Sequence, residues 1–329
     1  MIRAVLRSKE TAVFGLFLAV FIVFARMTDR FATSDNLFNV ARQYSELAVV
    51  AVGLTMVIIA GGLDISVGSV VGLSSILFGV VATRLGMSVW IACVLAILTG
   101  LSCGAVNALV ITRLKVQPIV ATLAMMSVAR GLAYVLSDAR SLGGFPDSFV
   151  GLGQTAIGPI PILGYIPLPV VVALIIFLAG FIILRRTAFG RGPYAVGASE
   201  EAARLSGVNV FGVQMFVYAL TGALCGLGGV MMAARVASSV PDAGAGFEFE
   251  AITAVVMGGS SLKGGEGSIV GTMIGVAVMA ILRNGLNLIG VPNIWQVLFL
   301  GVLLILAVLG DNLRTWLRAG RELKQTISE

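Results

Sequence analysis

Residues 88–111, SVWIACVLAILTGLSCGAVNALVI, decide the fold, because they contain no charged side chain. A helix needs about 20 predominantly apolar residues to cross roughly 30 Å of hydrocarbon, so this stretch is expected to span a membrane. Outward from it, similar runs lie near residues 11–25, 43–60, 65–83, 117–136, 167–184, 211–233, 248–262, 268–290 and 295–310, giving ten candidates in all. Segments 43–72 and 248–267 contain Gly-rich turns, so each is either a full span or a broken, re-entrant one.

Composition supports lipid as the solvent. Of the 329 residues, 58% are hydrophobic and 12% charged, with a mean hydropathy of +1.03. A soluble domain keeps about a quarter of its residues charged. The 41 glycines fit closely packed membrane helices. The fold class is therefore all-α, a polytopic membrane bundle. The absence of histidine excludes His-based triads, histidine zinc sites and histidine proton relays, and no metal site is expected. Cys93, Cys103 and Cys225 lie in apolar runs and read as small buried hydrophobes. The net charge of +6 fits basic cytoplasmic loops better than a nucleic-acid partner.

Arg3, Arg7 and Lys9 precede an apolar stretch from Thr11 to Ala25, which imitates a signal peptide. Arg26 follows at once and no small-x-small site is present, so an uncleaved first span is expected. With the N-terminus inside and the spans alternating, inside segments carry 14 of the 22 Lys and Arg residues. Outside segments carry 6 (Arg26, Arg30, Arg42, Arg84, Arg140 and Arg235), while Arg130 and Arg283 fall within spans. This asymmetry predicts ten spans with both ends cytoplasmic. Residues 1–329 then form a single transmembrane domain, with a periplasmic loop at 137–167, a cytoplasmic loop at 185–209 and a cytoplasmic tail at 311–329.

The outer loop is rich in Gly and Pro yet too apolar for a flexible linker, so it should pack on the outer mouth of the bundle. The inner loop should hold a short helix. Ser199 is its N-cap, Glu200 and Glu201 suit its first turn, Ala202, Ala203, Arg204 and Leu205 continue it, and Gly207 stops it. A capped helix in such a loop predicts a docking surface for a cytoplasmic partner.

No P-loop is present. The run Gly258–Gly267 looks superficially like one, but Lys263 is followed by Gly264, which has no hydroxyl to offer Mg²⁺. Gly61, Gly62, Gly258, Gly259, Gly264, Gly265 and Gly267 are structural turns instead. If ATP drives this protein, another chain must hydrolyse it, and no cofactor is expected on this one.

Charges in a membrane are costly. Here Asp64, Glu248 and Glu250 sit at span ends, with Arg130 and Arg283 inside spans. Asp64 is expected to cap a helix starting near Ile65 or to act in gating, and Arg130 to pair with backbone carbonyls. Among the polar groups within spans, Thr55, Asn107, Gln117, Thr122, Asn284, Asn287 and Gln296 either bond helix to helix or line a path for a hydroxylated solute. The path or gate is assigned to Asp64, Ser66, Asn107, Thr122, Asn284 and Asn287. A weak echo links Gly68–Gly72 (GSVVG) with Gly267–Gly271 (GSIVG), as after a duplication.

Several spaced motifs, in order, resemble the ribose-type monosaccharide ABC permeases. They are Ala251–Gly259 with Gly264–Gly267, Gly271-Thr272 and Asn284–Val291, then Gly61–Ser69, then Asn107, Lys115, Pro118, Thr122-Leu123 and Arg130-Gly131. Gly197-Ala198 with Ala202–Gly207 resembles the family's ATPase-coupling segment, although Ser199-Glu200 stand where Gly-Asn is common. The likeness covers roughly residues 40–312, and Gly143–Pro146 is similar to the outer loop of autoinducer-2 importer permeases.

The resemblance implies the ABC importer permease fold, with about ten helices in a bacterial inner membrane. It implies a homo- or heterodimer of permeases, cytoplasmic ABC ATPase subunits that bind ATP and Mg, and a periplasmic solute-binding protein. The substrate would be a monosaccharide or sugar-like solute. The alternative is a stand-alone ion-coupled secondary transporter, which the position of the acids disfavours.

Overall fold

The computed structural model describes residues 9–160 and 164–309. Arg3, Arg7 and the tail at 311–329, used above for topology, lie outside the described residues. The chain begins with α1 (Lys9–Met27), α2 (Ser34–Gln43), α3 (Ser45–Ile59) and α4 (Val67–Gly79), which runs into a π-helical turn at Val80–Arg84. There follow α5 (Val89–Thr112), α6 (Pro118–Ser137), β1 (Leu142–Gly143), α7 (Asp147–Gln154), β2 (Ala156–Ile160) and β3 (Gly164–Pro167). Next come α8 (Leu168–Arg186), α9 (Arg191–Ala198), α10 (Glu200–Leu205), α11 (Val210–Val236) and β4 (Ser238–Ser239). The last helices are α12 (Phe247–Met257), α13 (Ile269–Leu288) and α14 (Asn293–Leu309).

Among the described residues, 7 helices are long and apolar enough to cross a membrane: α1, α4 with its π turn, α5, α6, α8, α11 and α13. The predicted span 43–60 is the longer arm of a bent pair, α2 and α3, which meet at 47°. The predicted span 248–262 holds an 11-residue helix, α12. At 1.5 Å per residue that is about 16 Å, half the hydrocarbon thickness. Gly246 (φ 80°) before it and Gly259 (φ 96°) after it break the helix at both ends.

The helix limits follow local chemistry. Pro118 opens α6, where its missing N–H costs nothing. Ser88, Asn209 and Ser268 cap α5, α11 and α13, each accepting a backbone N–H. At the core, every residue of α3 is buried, as an all-round apolar sequence requires. Glycines allow its neighbours to close in. A Cβ on Gly53 would lie 2.8 Å from Thr221 Cα, and α5 meets α11 backbone to backbone at Gly100, Gly104, Gly222 and Gly226.

The outer loop does pack on the bundle. Phe149 stacks on Phe78 of α4 with ring centroids 4.3 Å apart, and Phe145 meets the same ring edge-on. The fold is mostly helical, as expected, with two short antiparallel strand pairs added by the loop: β1 with β4, which follows α11, and β2 with β3. The loop's Gly and Pro residues disfavour helix and leave backbone groups that pair across strands instead.

Candidate functional site

The predicted inner helix is present as α10. Ser199 Oγ accepts from Ala202 N at 3.2 Å, and Gly207 ends the segment at φ 81°. Arg204 pairs with Glu200 one turn earlier at 2.6 Å. Ala203 is buried with Val196, Val210 and Val213, which pins α10 to α9 and α11. Glu201, Ala202 and Leu205 point outward, and Leu205 is 84% exposed. The loop therefore holds two helices where one was predicted. Gly192, Pro193 and Gly197 concealed α9, since each is a poor helix former.

α9 ends in a junction built from backbone. The Gly265 amide donates to Ile59 O at 2.8 Å, and Gly197 lies against both groups. A Cβ on Gly197 would collide with Ile59 O and Gly265 N. A Cβ on Gly264 (φ 84°) would lie 2.8 Å from both Gly61 Cα and Gly197 O. Tyr194 fastens the same corner by donating its hydroxyl to Gly267 O at 3.0 Å. Burial raises the pKa of that phenol, so it stays a donor. Four of the predicted turn glycines, Gly61, Gly264, Gly265 and Gly267, thus share one joint with α9. Gly258 instead meets Gly271 across the start of α13.

Behind the joint, residues 62–66, which form neither helix nor strand, lead to a polar cluster. Asp64 Oδ1 accepts from Ser66 N at 2.9 Å and from Ser66 Oγ at 2.5 Å, and Asn107 Nδ2 donates to Ser66 Oγ at 3.1 Å. Thr122 Oγ1 bonds Pro118 O at 2.9 Å beside Leu63. All four side chains are buried. The expected helix cap by Asp64 is corrected: α4 starts at Val67 and its N-cap, Ser66, makes no side-chain cap bond. Asp64 closes a local turn instead, because its side chain reaches the amide two residues on.

Asn284 and Asn287 lie away from that cluster. Asn284 exchanges two hydrogen bonds with Asn36, at 2.8 and 3.0 Å. Asn287 accepts from Gln296 Nε2 at 2.6 Å. Both asparagines line a cavity of about 440 Å³ together with Glu46, Arg235, Glu250 and Arg283. Arg235 Nε donates to Glu46 Oε1 at 2.7 Å, and Arg283 pairs with Glu250. Arg130 bonds the carbonyls of Pro241 and Ala243, each at 2.9 Å, as expected.

The sequence reading overlooked Glu46. Its signal was available, since it is an acid inside the predicted span 43–60. Arg235 was assigned to a loop because the apolar run ends at residue 233, whereas α11 continues to Val236.

The joint and the cavity sit at opposite ends of the same helices. α3 starts at the cavity with Glu46 and ends at the joint with Ile59. α13 leaves the joint side at Ile269 and delivers Arg283, Asn284 and Asn287 to the cavity. At 1.5 Å per residue, α3 separates the two places by about 20 Å.

The sequence model of the family described as "Branched-chain amino acid transport system / permease component" matches residues 36–308. The chain is 40% identical over 299 residues to the ribose import permease protein RbsC of Escherichia coli strain K12, covering 90% of this chain and 91% of the relative. It is 39% identical to RbsC of Bacillus subtilis strain 168, covering 91% of each. It is 34% identical over 319 residues to the autoinducer 2 import system permease protein LsrD of Klebsiella pneumoniae subsp. pneumoniae, covering 94% of each. No solved structure matches the chain.

Proposed function

Because this chain belongs to the family described as branched-chain amino acid transport system / permease component, we propose that it is the membrane-spanning subunit of an ABC importer for a monosaccharide or similar solute. Two such permeases, alike or different, would assemble in a bacterial inner membrane with cytoplasmic ABC ATPase subunits and a periplasmic solute-binding protein. ATP and Mg would be held by the ATPases. The sugar class rests on the ribose and autoinducer 2 relatives.

The observation that carries the reading is the backbone joint at Gly197. A partner pressing on Glu201 and Leu205 moves α10, and with it α9, to which it is joined through Ser199. Gly197 bears directly on the end of α3 and the turn before α13. Neither neighbour has a flexible side chain there to absorb the motion, so it passes into both helices. α12, between the two breaks, is packed closely on α13, so it would move together with that helix. Asp64, Ser66, Asn107 and Thr122 would act as part of the path or gate.

This reading keeps ten membrane segments with both ends cytoplasmic, counting α3 and α14 as passes and α12 as a broken, half-length one. α3 and α12 run from the cavity end to the joint end, and α11 and α13 run back, which is the alternation this count needs.

The test is uptake of radiolabelled ribose into proteoliposomes holding the chain, its ATPase and its binding protein. ATP-dependent uptake that requires all three supports the reading. Uptake by the chain alone, driven by a proton or Na⁺ gradient, would replace it with the ion-coupled alternative.

A further inference from the structure

The cavity of about 440 Å³ between α2–α3, α11, α12, α13 and α14 is larger than the glue between helices requires. Its volume lies within the range of small-molecule pockets. Its wall is polar but electrically balanced. Arg235 is neutralised by Glu46, and Arg283 by Glu250. Because each arginine already pairs with a carboxylate, the wall offers no uncompensated charge, and an anion or a cation gains less there than beside an unpaired partner.

Two acceptors in the wall are left without a donor. Glu46 Oε2 and Gln296 Oε1 are buried and have no hydrogen-bond partner among the described residues. Glu46 itself is 1% exposed. Buried acceptors of this kind are normally satisfied, and an O–H group supplies what they lack. Asn287 Oδ1 and Gln296 Nε2 are already engaged with each other, so their amides are held in fixed orientations for a ligand.

We propose that this cavity is a solute-binding site contained within one chain, and that it takes a neutral, polyhydroxylated molecule in preference to its phosphorylated form. The site rests on the transport reading above for its biological use, but not for its chemistry. It adds two things to that reading. The solute is held between the helices of a single permease, and the balanced ion pairs disfavour charged analogues.

The experiment uses the full chain in lipid nanodiscs, with Cys93, Cys103 and Cys225 replaced by alanine and Ala245→Cys placed on the exposed rim of the cavity. The labelling rate with an uncharged maleimide is measured alone and with D-ribose, D-xylose, D-glucose or D-ribose 5-phosphate. At least one neutral sugar should slow labelling several-fold while the phosphate does not. Gln296→Met should remove that protection. Asn293→Cys, also on the rim, repeats the measurement should Ala245→Cys prevent folding.

Labelling that is indifferent to every neutral sugar at both positions, or slowed equally by the phosphate, overturns the proposal. If protection fails while the assembled importer still takes up ribose with ATP, the cavity is not the site and the permease reading stands. If protection holds while uptake proceeds without the ATPase, the site stands and the ABC reading falls.

Discussion

The amide of Gly265 donates to the carbonyl of Ile59 at 2.8 Å, with Gly197 packed against the bond. Three segments far apart in sequence meet there without a side chain between them. A joint of this kind has little compliance, because backbone atoms cannot rotate aside as a side chain can. Gly197→Ala should therefore cost roughly 1–3 kcal/mol, the usual range for overpacking. Thermal unfolding in detergent checks the stability. In the reconstituted importer, ATP hydrolysis should continue while uptake per ATP falls.

The pair Glu46–Arg235 should behave as a buried ion pair. Glu46→Gln leaves the Arg235 charge uncompensated, and breaking one partner of such a pair costs about 3–5 kcal/mol. The double variant Glu46→Gln/Arg235→Met should recover much of that loss. A double-mutant cycle by chemical denaturation gives the coupling directly. Additive losses would show that the two side chains do not interact.

Ser66 links Asp64 to Asn107. Ser66→Ala removes the hydroxyl bond to a carboxyl group and orphans the Asn107 amide. Hydrogen bonds to charged groups contribute about 1.5–3 kcal/mol, so destabilisation of that size is expected. Ser66→Thr, which keeps the hydroxyl, should lose less. Equal losses would assign the effect to packing.

Much of this arrangement was legible in the sequence. Apolar runs marked the seven long helices, because lipid demands them regardless of tertiary context. Ser199, Glu200 and Gly207 marked α10, because capping is local chemistry. The kink between Gln43 and Ser45 was not legible, since nothing in that run breaks a helix by propensity. The cavity was hidden for another reason. Glu46, Arg235, Glu250 and Arg283 pair across 33 or more residues, and such pairings come from tertiary packing that no window along the chain displays. Asn284 and Asn287 were found as polar residues in a span, but their separation from Asp64 and Asn107 became visible only with the helices in place.

Leu205 is exposed on a helix that packs only through Ala203. Leu205→Asp should leave chain stability within about 0.5 kcal/mol, as for other surface substitutions. It should weaken binding of the ATPase subunit, measured by co-purification and by light interferometry on nanodiscs. A stability loss with unchanged binding would place Leu205 in the fold and not at the interface.

The central claim is that motion at α10 reaches the cavity through Gly197. The most direct measurement is the maleimide labelling rate of Ala245→Cys in the assembled importer, with and without ATP. The rate should change several-fold on adding ATP, and Glu201→Ala/Leu205→Ala should abolish that response while the cavity still labels at its resting rate. An ATP response of the same size in the double variant would contradict the account.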